Sequence, residues 1–127
     1  MINTGQKITF ERTKASRLPE TDLQNIKFGR VFSDHMFVMD FSDGGWQRPR
    51  IIPFGPMIMS PASLVLHYSQ TIFEGLKAYR SVDGGINLIR PLDNIARMRR
   101  SAERMCMPPV PDDIFLDALR ELIRVDK

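Results

Sequence analysis

One cysteine, one tryptophan and two histidines are all that the 127 residues hold of these types. A single thiol, Cys106, cannot close an internal disulfide, and such sparing use of cysteine suits a reducing compartment. His35 and His67 stand apart, and no CxxC or HExxH spacing surrounds them, so no metal site is expected. His67, read as part of a helix, is most simply a packed or hydrogen-bonded side chain. No apolar run approaches the roughly 20 residues of a membrane span. Met1 to Lys14 is polar and lacks the apolar core of a signal peptide. These absences predict a soluble, cytoplasmic protein with no membrane partner. There is no GxSxG elbow, and the glycine pairs occur in turns without a Walker or dinucleotide-binding context.

The chain is of single-domain size. Its 43% hydrophobic and 26% charged content is that of a folded protein. It is too short for an enzyme that encloses a cofactor between two lobes. The formal charge of +3 is mild. It falls short of a nucleic-acid arm but permits a local anion site. Thirteen of the 18 basic residues are arginine and five are lysine. Arginine carries a planar fork of donors matched to phosphate and carboxylate.

Residues 1–24 read as a polar arm and residues 25–127 as one domain. Phe28 to Phe32 shows strand-like alternation. Met36 to Phe41 and Arg50 to Pro53 flank an Asp43-Gly44-Gly45 turn, which predicts an antiparallel hairpin. Four prolines between positions 49 and 61 then favour edge strands and loops. Ser63 to Glu74 reads as a short helix stopped by Gly75. Leu76 to Arg80 and Ile86 to Arg90, around Asp83-Gly84-Gly85, give the clearest hairpin signal. Pro91 reads as the end of that strand, with Asp93 or Asn94 capping a helix to about Met107. Its apolar stripe is Ile95, Met98, Ala102 and Met105. A last helix starts at Asp112 and Asp113, runs to about Val125, and buries Phe115, Ala118, Leu119 and Leu122. The order is α+β with mostly antiparallel pairing.

Arg97, Arg99, Arg100 and Arg104, with Arg90 before them, concentrate positive charge on one helix. The plain reading is a solvated face supported by an Arg99–Glu103 pair. The functional reading is an anion site, in which one arginine grips a phosphate with two charge-assisted hydrogen bonds. Tyr68 and Phe73 lie five residues apart, and core packing and a pocket wall call for the same residue types.

Five segments together carry a resemblance. They are Phe28-Gly29 through Asp34-His35-Met36-Phe37; Leu66-His67-Tyr68; Phe73-Glu74-Gly75-Leu76-Lys77-Ala78-Tyr79; Arg90-Pro91; and Asn94 with Arg97-Met98 and Ser101-Ala102. In this order they closely resemble branched-chain amino acid aminotransferases, fold-type IV enzymes that use pyridoxal phosphate. The resemblance runs from about Phe28 to the last residue. It implies a partial small domain, incomplete at its C-terminal end, of an enzyme that moves amino groups between Leu, Ile or Val and 2-oxoglutarate. By the same resemblance Arg97 grips the coenzyme phosphate, Phe28 and Phe73 line the substrate side-chain pocket, and Tyr68 reaches the neighbouring subunit of a homodimer.

The family's Schiff-base lysine lies in a second, larger domain. Lys7, Lys14, Lys27, Lys77 and Lys127 do not match it, so no catalytic residue is assigned within this chain. The 127 residues alone are expected to be inactive, to bind the coenzyme weakly or not at all, and to self-associate through uncovered apolar surface. The alternative is a stand-alone module that binds phosphate groups or nucleic acid through the arginine-rich helix.

Overall fold

The computed structural model describes residues 7–126. They form an α+β chain that divides into two compact units. One runs up to Pro56 and resumes at Ala118, and the other is Met57–Asp117.

The first unit is organised by a hairpin of β2 (His35–Ser42) and β3 (Gly45–Pro53). Asp43 and Gly44, at φ 52° and 74°, close it. Two successive positive φ values match the right-handed twist of the flanking strands, and Gly44 takes its value without a Cβ penalty. β1 (Thr9–Phe10) pairs in parallel with the other edge of β3, so the strand order is β1-β3-β2. This draws part of the polar N-terminal stretch into the sheet. The central strand places Ile51 opposite Phe10 on one side and Phe37 on the other, and Ile51 is 0% exposed.

Between Val38↔Arg50 and Asp40↔Gln47 the register shifts, with Arg48 and Pro49 facing the single residue Met39. Such a bulge is where a strand tolerates proline, which has no N–H for the ladder. Arg48 turns the chain there at φ 54°. Phe28 to Phe32 is not a strand: it forms a turn with Gly29 at φ 70°.

His35 is buried at the start of β2. Its Nε2 accepts the Thr13 N–H at 3.0 Å, so its ring proton sits on Nδ1 and is donated to Asp126 at 2.5 Å. The His35 backbone N–H donates to the other Asp126 oxygen at 3.1 Å. One imidazole thus ties together the N-terminal stretch, the sheet and the residue after the last helix.

In the second unit, Ser63 to Glu74 is not an α-helix. Only a 3-10 turn, Leu64–Leu66, forms. The Tyr68 N–H closes one further turn onto the Leu64 carbonyl, and Ser69 at φ 52° then breaks the helical path. A few apolar residues at helical spacing are too short a pattern to outweigh that reversal. β4 (Ala78–Arg80) and β5 (Ile86–Leu88) form the expected hairpin.

Helix α1 is Pro91–Arg104, starting earlier than its sequence suggests. Pro91 opens the helix, at a position where its missing N–H costs nothing. Arg90 holds the cap position at φ 51°, and its Nε pairs with Asp93 at 2.5 Å. Ile95 and Ala102 of the expected stripe are buried, whereas Met105 is exposed. Helix α2 is Asp112–Val125, as expected, but of its apolar stripe only Ala118 is buried, and Phe115, Leu119 and Leu122 are half-buried. Its first half is grouped with the second unit and the remainder with the first. No helix among the described residues is long and apolar enough to cross a membrane.

Candidate functional site

The best-formed polar cluster of the second unit lies on one face of α1. Asn94 and Arg97 are one turn apart on that helix and so project from the same side. The extended segment ahead of β4 brings Glu74 against them. Arg97 Nε donates to Glu74 Oε2 at 3.1 Å, and Arg97 Nη2 donates to Oε1. Asn94 Nδ2 donates to the same Oε1 at 3.0 Å and to the Gly75 carbonyl at 2.8 Å. Each carboxylate oxygen is therefore occupied, and the amide of Asn94 spends both hydrogens on the Glu74-Gly75 backbone and side chain.

The electrostatics follow from this geometry. The hydrogen bond from Arg97 is the main influence holding the Glu74 carboxyl below its ordinary 4.5, with the Asn94 bond assisting and desolvation opposing. The carboxylate in turn raises the already high pKa of Arg97. The Arg97 guanidinium is a permanent cation held by its side edge.

A guanidinium has five N–H bonds. Glu74 takes the Nε–H and one Nη2–H, which leaves the edge formed by Nη1 and the second Nη2 hydrogen. The Arg97 side chain is 53% exposed, whereas that of Glu74 is only 10% exposed. A planar pair of donors on a side chain more than half exposed is suited to two oxygens of a phosphate or carboxylate. The residues present therefore fit the phosphate end of pyridoxal phosphate, provided the anion meets the edge away from Glu74.

Phe73 is 84% exposed and immediately precedes Glu74, so the backbone ties it to the arginine's partner. Tyr68 is also exposed, with its ring edge-on to His67 at 5.1 Å. Both belong to the second unit with Arg97. Phe28 belongs to the first unit, in the turn before β2, and is 99% exposed. Arg99 does not pair with Glu103; its Nη1 bonds Asp112 at 2.9 Å. The sequence carries no sign that Glu74 and Asn94 pair. Asn94 stands there only as one of two helix-cap candidates with Asp93, and nothing periodic links residues 20 positions apart. No group of three or more potential metal ligands occurs among the described residues.

No protein-family model matches the chain. Individual relatives do. Branched-chain-amino-acid aminotransferase 2 of Bacillus subtilis is 47% identical over 125 residues, covering 98% of this chain and 34% of the relative. Branched-chain-amino-acid transaminase 1 of the same organism is 50% identical over 120 residues, 93% of this chain and 34% of the relative. The mitochondrial branched-chain-amino-acid aminotransferase of Mus musculus is 40% identical over 121 residues, 94% of this chain and 31% of the relative. The chain spans about a third of the length of the curated relatives it matches. The resemblance carried by the five motifs is thus borne out: nearly the whole of this chain is alike in sequence to about one third of a branched-chain-amino-acid aminotransferase.

Proposed function

We propose that these residues are the part of a branched-chain amino acid aminotransferase that anchors the coenzyme phosphate and walls the substrate pocket. The complete enzyme transfers an amino group between Leu, Ile or Val and 2-oxoglutarate. Residues 25–127 are assigned to its small domain; of the stretch before them, Thr9 and Phe10 join the sheet as β1. The chemical step belongs to parts of the enzyme outside these 127 residues. The carrying observation is Arg97: a guanidinium held through Nε and Nη2 by Glu74 on a side chain that is 53% exposed, within a chain about half identical to named transaminases.

In this reading Arg97 binds and orients the phosphate through its open edge, and its charge persists at every working pH. Pyridoxal phosphate, when bound, supplies the electron sink that the side chains lack. By the family resemblance, Phe28 of the first unit and Phe73 of the second are each assigned to walls of the complete enzyme's substrate pocket, where an apolar side chain gains roughly 0.8 kcal/mol per buried methylene. Such walls separate Leu, Ile and Val only weakly, because they offer no polar group to discriminate by. Tyr68, exposed in this chain, is assigned to the neighbouring subunit's pocket in a homodimer.

The stand-alone phosphate- or nucleic-acid-binding module has less support. Nearly the whole chain is alike in sequence to part of named branched-chain-amino-acid aminotransferases, which supports the enzyme reading over a free-standing module. The experiment is turnover by the full-length protein with leucine and 2-oxoglutarate, followed as glutamate formed. Activity is expected, with kcat/KM for leucine falling at least about tenfold in Phe73→Ala and in Phe28→Ala. Absence of turnover, together with tight, steeply salt-dependent nucleic-acid binding, would favour the module instead.

A further inference from the structure

Glu74 is an unexpected neighbour for an arginine that has to attract an anion. A carboxylate beside the guanidinium cancels much of its charge. On electrostatics alone it should weaken phosphate binding. Two observations argue that it is there for geometry. First, the contact is a two-point, side-on fork, Nε to Oε2 and Nη2 to Oε1, which fixes both the position and the plane of the guanidinium. A long side chain held that way has already lost the rotamer freedom that binding would otherwise cost. Second, Glu74 is itself held. Asn94, one helical turn before Arg97, donates to Oε1 and also to the Gly75 carbonyl. The carboxylate is thus referenced to the same helix face that carries the arginine, and it cannot swing with the extended segment without breaking these bonds.

We propose that Glu74, braced by Asn94, is a positioning residue that presents the Nη1–Nη2 edge of Arg97 to the phosphate of the coenzyme. This rests on Arg97 being the phosphate anchor. Glu74 touches neither phosphate nor substrate, and it acts only through the arginine. Orientation and charge make opposite predictions when Glu74 is changed. If charge dominated, Glu74→Gln would leave Arg97 uncompensated and tighten phosphate binding, while Glu74→Asp would leave it unchanged. If orientation dominates, both changes weaken it. Glutamine puts an N–H donor against an arginine N–H, and aspartate is one methylene too short to reach both Nε and Nη2 from the same backbone.

The test is an equilibrium absorbance titration of the full-length protein with pyridoxal phosphate and, separately, with pyridoxal, which lacks the phosphate. Thermal unfolding checks that each variant is folded. Glu74→Gln and Glu74→Asp are each expected to lower affinity for pyridoxal phosphate about tenfold, the lower end of what loss of a supporting partner costs around a metal ligand. Affinity for pyridoxal should be unchanged. Asn94→Ala should give the same selective loss in smaller degree. Tighter or unaltered pyridoxal phosphate binding in both Glu74 variants would overturn the positioning role, as would an equal loss for the two ligands. Arg97→Met, which removes the charge and the donors, separates this from the reading beneath it. If Arg97→Met leaves the preference for the phosphorylated ligand intact, Arg97 is not the anchor and both statements fall. If Arg97→Met abolishes it and the Glu74 variants do not, only the positioning role falls.

Discussion

At the residue scale, a few side chains hold disproportionate weight because the described core is small. Ile51 occupies the central strand and is fully buried. Truncation to alanine removes three buried carbons from a site walled by neighbours on both adjacent strands. Ile51→Ala is expected to destabilise the first unit by about 2–5 kcal/mol, read as a lowered urea midpoint with an unchanged slope. Asp126 matters for a different reason. Its two oxygens take the His35 ring proton and the His35 backbone N–H. In Asp126→Asn the new amide must turn its hydrogens toward one of these donors and leave it unpaired, at a cost of about 1–3 kcal/mol. Urea unfolding of this variant should show that loss; a midpoint equal to wild type would count against the clip.

At the element scale, the hairpins and α2 were legible because their signals are local. Asp43-Gly44 and Gly84-Gly85 are turn chemistry between short apolar runs, and both runs paired. The apolar stripe of α2, with two aspartates in its first turn, marked that helix from end to end. The misread segments are those where one residue's backbone decided the outcome. Ser69 at positive φ ended the stretch read as a helix from Ser63, and Pro91, read as the end of a strand, opens α1. The pairing of β1 with β3 joins residues some forty positions apart through two residues, with no periodicity to announce it. The site divides in the same way. Arg97, Tyr68, Phe73 and Phe28 came from motif resemblance, whereas the Glu74–Asn94 brace arises only when an extended segment lies on a helix face. Turn geometry also makes a test. Gly44 adopts φ 74° with open space where a Cβ would stand, so an added methyl meets backbone strain and no clash. Gly44→Ala is expected to cost about 1–2 kcal/mol, seen as a lowered thermal midpoint, while alanine at Gly45, which has no positive φ, should cost less.

At the scale of the whole molecule, hydrogen bonding to carboxylates sets the response to acid. Hydrogen bonds hold the carboxyls of Asp34, Asp40 and Asp83 below their ordinary 3.8 and that of Glu74 below 4.5. For Asp40 the main cause is the bond from Arg50, at 2.6 Å across the hairpin. A carboxyl whose folded pKa is depressed binds fewer protons in the native state than in the unfolded one. Its contribution is complete above the ordinary carboxylate range and is lost as pH falls through the folded value. The contribution of these carboxyls should therefore be constant from neutrality down to about pH 5 and decline below it. In Asp40→Asn the decline should be shallower, because one of the groups that takes up a proton on unfolding is gone. A decline as steep as wild type would refute the assignment for Asp40.

The resemblance to a third of a branched-chain aminotransferase gives the molecule a function only if Arg97 meets a phosphate. The most direct measurement is the distance from Arg97 to the phosphate oxygens in a crystal structure of the full-length protein with pyridoxal phosphate bound. Nη1 and Nη2 should lie about 2.7–2.9 Å from phosphate oxygens, with Nε still on Glu74. An Arg97 guanidinium pointing into solvent, and a phosphate held by other groups alone, would contradict the account.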